Sequence, residues 1–324
     1  MTDRLSGSTD VTPATPFVSF VIPCFNAADT IQRALDSIGE TDLFDLEVIV
    51  VDDGSQEPLC RERLRWNVAT PLVVVTLDTN RGQPAACNAG FAKSRGDVVV
   101  VLDADDALAP GWDRTLRNLL DCWPPESPLA FAWAVTEHGE STGQGRGIYS
   151  REQFLAGEGR GEYLPVFRGE VARKVGYIDL GTRKRCGTLS YARILEAGPL
   201  YVHPEVMRVY YVGVATSVSK NPFDARKARD SYLCFQAIRQ AVEQYDRARG
   251  LPAGKYLPEL YMKEAIYRAF GESRGSGLGF AWRHRKRLGW RRLALVTVLA
   301  LLPREVCGWL ISRAKAWGVI RAFG

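Results

Sequence analysis

From Phe17 onward, apolar and polar positions alternate in blocks that predict a regular succession of strands and helices. Val18-Ser19-Phe20-Val21-Ile22 is a short, nearly continuous apolar run stopped by Pro23, the pattern of a strand buried on both faces. Ile31, Ala34, Leu35 and Ile38 then recur at helical spacing, after a cap at Asp29 or Thr30 and before Gly39. Leu46–Val51, Leu72–Leu77 and Val98–Leu102 repeat the strand pattern, and Ala85–Lys93 reads as a helix between the last two. This alternation predicts an α/β fold: a mostly parallel, Rossmann-like sheet flanked by helices. Ligands of such sheets bind beyond the carboxyl ends of the strands. Polar residues follow Ile22, Val51 and Leu102, so three strand ends point chemistry at one rim.

After Trp112 the periodicity weakens. Ala130–Val135, Leu200–Val202 and Val206–Val212 read as strands, and the glycine-rich stretch His138–Gly147 as a loop. Helical spacing returns over Ala225–Arg247 and Leu257–Phe270, and Gly271–Gly279 reads as a hinge or linker. The chain divides on this reading into a disordered lead-in (1–16), a domain over 17–223 and a helical, basic region over 224–324. The domain itself splits into a ligand-binding half (17–110) and a second half (111–223).

The 46% apolar and 24% charged residues are those of a folded protein, and the net charge of +5 is unevenly spread. Arg283, Arg285, Lys286, Arg287, Arg291 and Arg292 form a basic block with no acidic residue among them, which points to a polyanionic neighbour. Trp282 and Trp290 precede the apolar run Leu293–Leu302, and Trp309 and Trp317 follow it. A spanning helix needs about 20 apolar residues, so this run falls short. Its aromatic and basic flanks favour a membrane surface through 280–324 over nucleic acid, with a helix docked on the domain as the other reading. The seven cysteines are scattered and never spaced as C-x-x-C, as expected of reduced thiols in a cytoplasmic protein. The polar lead-in has no apolar core and does not read as a signal peptide.

Asp103-Ala104-Asp105 carries the sharpest chemistry. Two carboxylates two apart at a strand end can face one site and hold Mg²⁺ or Mn²⁺, hard cations that take one or two protein carboxylates and leave the rest to phosphate and water. Such a cation neutralises the charge that develops on a departing nucleoside diphosphate. Asp52-Asp53-Gly54-Ser55 could present an acidic group to a base or ribose, or be a simple Asp-Gly turn. Pro23, Phe25 and Asn26 could supply backbone donors and an aromatic wall, and Arg81 and Gly82 could meet a diphosphate. Neither the G-x-G-x-x-G nor the G-x-x-x-x-G-K-[ST] loop is present, which argues against a dehydrogenase and a P-loop ATPase.

Val18 to Asp106 resembles the N-terminal half of the family 2 glycosyltransferases, which have the glycosyltransferase A fold. The resemblance rests on Val18–Asn26, on Val50-Val51-Asp52-Asp53-Gly54-Ser55, and on Asn80-Arg81-Gly82 through Asn88-Ala89-Gly90 and Arg95-Gly96-Asp97. It ends in Leu102-Asp103-Ala104-Asp105-Asp106. It implies a cytoplasmic enzyme that transfers a sugar from a UDP- or GDP-sugar to a saccharide or lipid-linked acceptor; an interfacial tail would hold it beside a lipid-linked acceptor at the inner face of the cell membrane, as in polysaccharide or glycolipid assembly. Asp53 would bind the base, Asp103 and Asp105 the ribose and the metal-bound diphosphate, with Asp105 the direct metal ligand.

The second half departs from that pattern. The acidic residue that many members use as catalytic base falls near Cys186 and Gly187, and no acid lies between Leu180 and Leu195. Glu170 and Asp179 are the nearest candidates. Arg183-Lys184-Arg185 could instead bind a phosphorylated group or be surface, Val214 stands near the family's later histidine, and His203 reads as structural. The missing base leaves a second reading open, a non-catalytic relative that binds nucleotide or a partner.

Overall fold

The computed structural model describes residues 16–143, 145–159, 161–183, 185–211, 224–250 and 256–307. Residues 1–15, Lys184, Val214, Trp309 and Trp317 lie outside the described residues. The strands are β1 Phe17–Cys24, β2 Asp45–Asp52, β3 Leu72–Thr76, β4 Val98–Val101, β5 Ala107–Leu108, β6 Leu129–Thr136, β7 Gly147–Tyr149, β8 Tyr163–Arg168 and β9 Leu200–Tyr210. The helices are α1 Ile31–Ile38, α2 Gln83–Lys93, α3 Trp112–Cys122, α4 Arg151–Ala156, α5 Gly169–Lys174, α6 Gly187–Ile194, α7 Ala225–Ala248, α8 Leu257–Gly271, α9 Arg274–Arg283 and α10 Arg285–Leu301.

All nine strands join one sheet in the order β3-β2-β1-β4-β8-β6-β9-β5, with β7 on β9. The first four strands are parallel, as the alternation predicts. Beyond β4 the sheet is mixed, because β8 enters antiparallel between β4 and β6. Val18, Phe20 and Ile22 of β1 face a core shared with α1 and α3, where Phe20 meets Trp112 edge-on at 5.1 Å. Val21 faces the opposite core with Phe91 of α2 and Phe167 of β8. Burial on both faces explains the near-absence of polar positions in β1 and β4.

Two readings are corrected. Leu200–Tyr210 is one strand where two were expected, at 200–202 and from Val206 onward; its pairing with β6 shifts register between Ala132 and Ala134, opposite the Pro204 that has no N–H to give, and Val212 lies outside the described residues. The glycine-rich stretch after Gly271 is not a linker but the start of α9. A Cβ on Gly277 would lie 2.5 Å from the Ala269 Cβ and 2.6 Å from the Ala265 carbonyl oxygen, so the glycine lets α9 close onto α8. Helices α7 to α10 bury a second core against Leu155, Cys186, Leu189 and Ala192. Inside it Arg239 pairs with Glu264 at 2.6 Å and Glu243 at 2.8 Å. No helix among the described residues is long and apolar enough to cross a membrane.

Candidate active site

The ends of β1, β2 and β4 form the rim, and the two adjacent aspartates after β2 divide the work of building it. Asp52 is fully buried: one carboxylate oxygen accepts from the Ser55 amide at 3.1 Å and hydroxyl at 2.5 Å, the other from the Leu59 amide at 2.9 Å. Ser55 Oγ in turn accepts from the Asn26 amide at 2.8 Å, and Asn26 Oδ1 accepts from the Gln56 amide at 2.9 Å. Asp53 accepts from the amides of Arg81 at 2.8 Å and Gly82 at 2.7 Å. Burial pushes the Asp53 carboxyl up, and these two amides pull it back. Asp53 thus fixes the 81–82 turn, and Arg81 contributes its amide while its side chain is exposed. Pro23 is buried in β1, and Phe25 stands 38% exposed at the rim, open as an aromatic wall.

Gly82 has φ 94° and ψ 158°, a conformation close to glycine-only, and a Cβ there would lie 2.4 Å from the Thr182 carbonyl oxygen. Gly82→Ala is therefore expected to destabilise the fold by roughly 1–3 kcal/mol. A urea midpoint equal to that of the unaltered chain would show that the 181–183 loop yields.

Asp103 follows β4. Its Oδ1 accepts from Gln83 Nε2 at 2.7 Å and lies 3.7 Å from Arg185, while Oδ2 lies 3.4 Å from Arg208. Asp106, fully buried, receives Arg208 through Nε at 2.6 Å and Nη2 at 2.5 Å, and the Tyr211 amide at 3.2 Å. Burial pushes the Asp106 carboxyl up to about 7 against the pull of Arg208. Burial likewise opposes the charge on Arg208, but Asp106 and Asp103 hold it above its ordinary value. Asp105 is half-buried, and burial and then Asp103 raise its carboxyl. Its carboxylate accepts no hydrogen bond from another described residue, although its carbonyl receives Arg33.

Among the described residues no group of three or more metal-ligating side chains is gathered. Asp103 and Asp105 nonetheless fit a magnesium or manganese ion, which takes few protein carboxylates. They lie two apart in the chain and repel one another, and no other described residue donates a hydrogen bond to the Asp105 carboxylate.

The loop before α6 closes the rim. Gln83 donates its amide to the Arg183 carbonyl at 3.1 Å, and the Arg183 amide donates to Asp230 at 3.1 Å. Asn88 binds the Tyr177 amide and carbonyl, both at 2.8 Å, tying α2 to this loop. Arg185 therefore points inward, 5.1 Å above the Tyr177 ring, its buried Nη1 3.7 Å from Asp103 and without a hydrogen-bond partner among the described residues. Asp179 lies on the same loop, exposed, and accepts from the Gly181 amide at 2.8 Å. Glu170 does not join the site: β8 runs antiparallel to β4 and pairs Arg168 with Val98, so Glu170 is exposed at the opposite rim. His203 is buried beside Tyr201 at 3.2 Å and Glu205 at 3.6 Å, five residues before Arg208 along β9.

Arg208 is the residue that pattern reading missed. Its signal was a lone arginine between Met207 and Val209, since a charge inside an apolar strand demands a buried partner.

Comparison with known proteins agrees with this geometry. The description Glycosyl transferase family 2 matches residues 19–126. The succinoglycan biosynthesis protein ExoO of Rhizobium meliloti is 40% identical over 107 residues, 33% of this chain and 29% of that protein. An undecaprenyl-phosphate 4-deoxy-4-formamido-L-arabinose transferase of Pseudomonas fluorescens is 40% identical over 93 residues, 27% of each chain. The chain thus spans under a third of these relatives' own lengths. Among solved structures, S. aureus TarS 1-349 in complex with UDP-GlcNAc superposes with a TM-score of 0.58 at 15% identity, covering 94% of this chain and 92% of that one. The mannosyltransferase PcManGT of Pyrobaculum calidifontis, in complex with GDP-Man and Mn²⁺, gives 0.53 at 19% identity, covering 95% and 87%. Residues 19–126 match the glycosyl transferase family 2 model, and the whole fold is similar to those of these solved transferase structures.

Proposed function

We propose that the chain transfers a sugar from a nucleoside diphosphate donor to a saccharide or lipid-linked acceptor in cell-envelope assembly. The observation that carries this reading is the placing of Asp103 and Asp105 together at the end of β4, beside the inward-facing Arg185 and Arg208. A magnesium or manganese ion held by those two carboxylates would neutralise charge on the departing diphosphate. The UDP-GlcNAc of one structural neighbour and the GDP-Man and Mn²⁺ of another support the donor class and the metal. The succinoglycan biosynthesis protein and the undecaprenyl-phosphate transferase among the relatives support an envelope acceptor.

In the reaction an acceptor oxygen attacks the anomeric carbon, the bond to the diphosphate breaks, and its electron pair leaves on the diphosphate oxygen. Arg185 Nη1 is positioned to receive a phosphate oxygen, and Phe25 offers a ring to the base. Of the two candidate bases Asp179 is the better placed, since it shares the loop that closes the rim and Glu170 does not. With a lipid-linked acceptor, the protein would work at the inner face of the cell membrane.

The test is calorimetric titration of the full chain with UDP, GDP, UDP-GlcNAc and GDP-mannose, with and without Mn²⁺. Metal-dependent binding of one nucleotide class, followed by release of its nucleoside diphosphate when acceptor is supplied, is the expected result. Binding without any turnover would favour the non-catalytic reading, which the absence of an acidic residue between Leu180 and Leu195 motivates. A folded protein that binds no nucleotide would sink the transfer reading and leave only the partner-binding form of the non-catalytic one.

A further inference from the structure

We infer that α9, α10 and the basic turn between them form a docking surface for an anionic lipid bilayer. The inference deepens the membrane-facing part of the proposed function, and rests on that reading only for its purpose, not for its geometry. Gly289, at φ 72°, interrupts the helical backbone of α10, and the segment from Trp290 to Leu301 is two-faced. Val296, Leu299 and Ala300 are buried in the helical core. At about 100° per residue, Trp290, Ala294, Val298 and Leu301 fall within about 80° of one another, away from those three. They are open to solvent: Trp290 is 75% exposed, Leu301 69% and Val298 54%, with Leu295 at 41% beside them and Trp282 at 64% on α9. Large apolar side chains gathered this way on one helix mark a contact surface rather than the scattered exposure of an ordinary monomer.

Charge identifies the partner. Arg283, Arg285, Lys286, Arg287, Arg291 and Arg292 are all exposed, and no acidic residue occurs between Glu272 and Glu305. None of the six forms an ion pair among the described residues. Arg285 and Arg291 lie 5.2 Å and 5.4 Å from the rings of Trp282 and Trp290, an interleaving of cations and indoles suited to the headgroup layer. A nucleic acid would satisfy the cations but leave Leu295, Val298 and Leu301 in water. A neutral apolar partner would bury those three and strand the cations. An anionic bilayer meets both demands, with the apolar arc entering the acyl boundary and the basic turn lying among phosphates.

Sedimentation of the full chain with vesicles tests this. Binding to phosphatidylcholine vesicles containing about one-third phosphatidylglycerol is expected, with little binding to pure phosphatidylcholine and a marked loss at high salt. The triple variant Leu295→Ser, Val298→Ser, Leu301→Ser and the charge variant Arg285→Glu, Lys286→Glu, Arg287→Glu should each weaken binding about tenfold or more. Because these side chains are exposed, both variants should keep wild-type urea midpoints. Brominated acyl chains should quench tryptophan fluorescence, and less so in Trp290→Phe. Equal binding to neutral and anionic vesicles, full binding by both variants, or preference for RNA over vesicles in competition would overturn the inference. Nucleotide titration of the same preparations keeps the two readings apart. Vesicle binding without nucleotide binding sinks the transfer reading alone, and the converse sinks the docking surface alone.

Discussion

Asp105→Ala is expected to abolish metal-dependent nucleotide binding and to lower transfer by at least about a hundredfold, the upper end of what loss of a residue merely supporting a metal ligand produces. Its carboxylate takes no hydrogen bond from another described residue, so its removal loses only the hydrogen bond to its own amide and the attraction of Arg208 and Arg33, which burial and Asp103 outweigh. Burial and Asp103 raise its carboxyl above the ordinary value. At neutral pH the ionised group therefore works against folding, and that penalty fades as the pH falls through its folded value. Asp105→Ala should thus keep or raise the melting temperature of the metal-free protein while losing the stabilisation that Mn²⁺ gives the wild type. A variant that melts earlier, or that still responds to Mn²⁺, would remove Asp105 from the metal site. Asp103→Ala should also lose metal binding but without the gain in stability, because it deprives Gln83, Arg185 and Arg208 of their shared acceptor.

The second large effect lies at Arg208→Met. The Arg208 side chain is 4% exposed and holds Asp106, Asp103 and, at 3.0 Å, the Tyr163 carbonyl. Without it the fully buried Asp106 keeps, among the described residues, the Tyr211 amide alone, an uncompensated buried carboxylate that costs about 3–5 kcal/mol. Urea denaturation should show that loss, and the double variant Arg208→Met with Asp106→Asn should recover much of it. The sign of the pH dependence follows from the Asp106 carboxyl, already pushed up to about 7. Removing the cation raises it further, so the deficit of the single variant should shrink as the pH is lowered from about 8 to about 6. A deficit that is flat with pH and not recovered in the double variant would mean lost packing rather than lost charge.

These two residues show how far the sequence could be read. β1, β2 and β4 were legible because a strand buried on both faces is written mostly with apolar residues, the buried Ser19 and Glu47 excepted, and their polar termini stood out at Asn26, Asp53 and Asp103. The division between Asp52 and Asp53 was not legible. Both are acidic residues at one strand end, and only the folding back of the 81–82 turn decides which of them meets it. The entry of β8 between β4 and β6 was hidden for a related reason: pairing partners distant in the chain leave no local periodicity. Arg208 was hidden inside a segment that read only as a strand, Val206–Val212, with no signal of which acids it would meet. The segment after Gly271 was misread because glycine signals a break when only the backbone is considered, whereas Gly277 serves the approach of two helices. The loop at 181–186 was legible in charge but not in direction, since the inward turn of Arg185 depends on Asn88 and Asp230 far away in the sequence.

The seating of α9 on α8 through Gly277 bears on what a membrane-bound form of this protein can do. A flexible tether would let the sheet wander over the bilayer and sample acceptors at many heights. Here α8 packs on α7, and that core also takes in Cys186 and Leu189 beside the Arg185 loop. The connection is a bracket rather than a leash. A surface held by α9 and α10 sets one height and one tilt for the rim, so the length of the acceptor, and not only its chemistry, becomes a condition of reaching Asp103. Gly277→Leu, by prising α9 from α8, would loosen that gauge and broaden the range of acceptor lengths served.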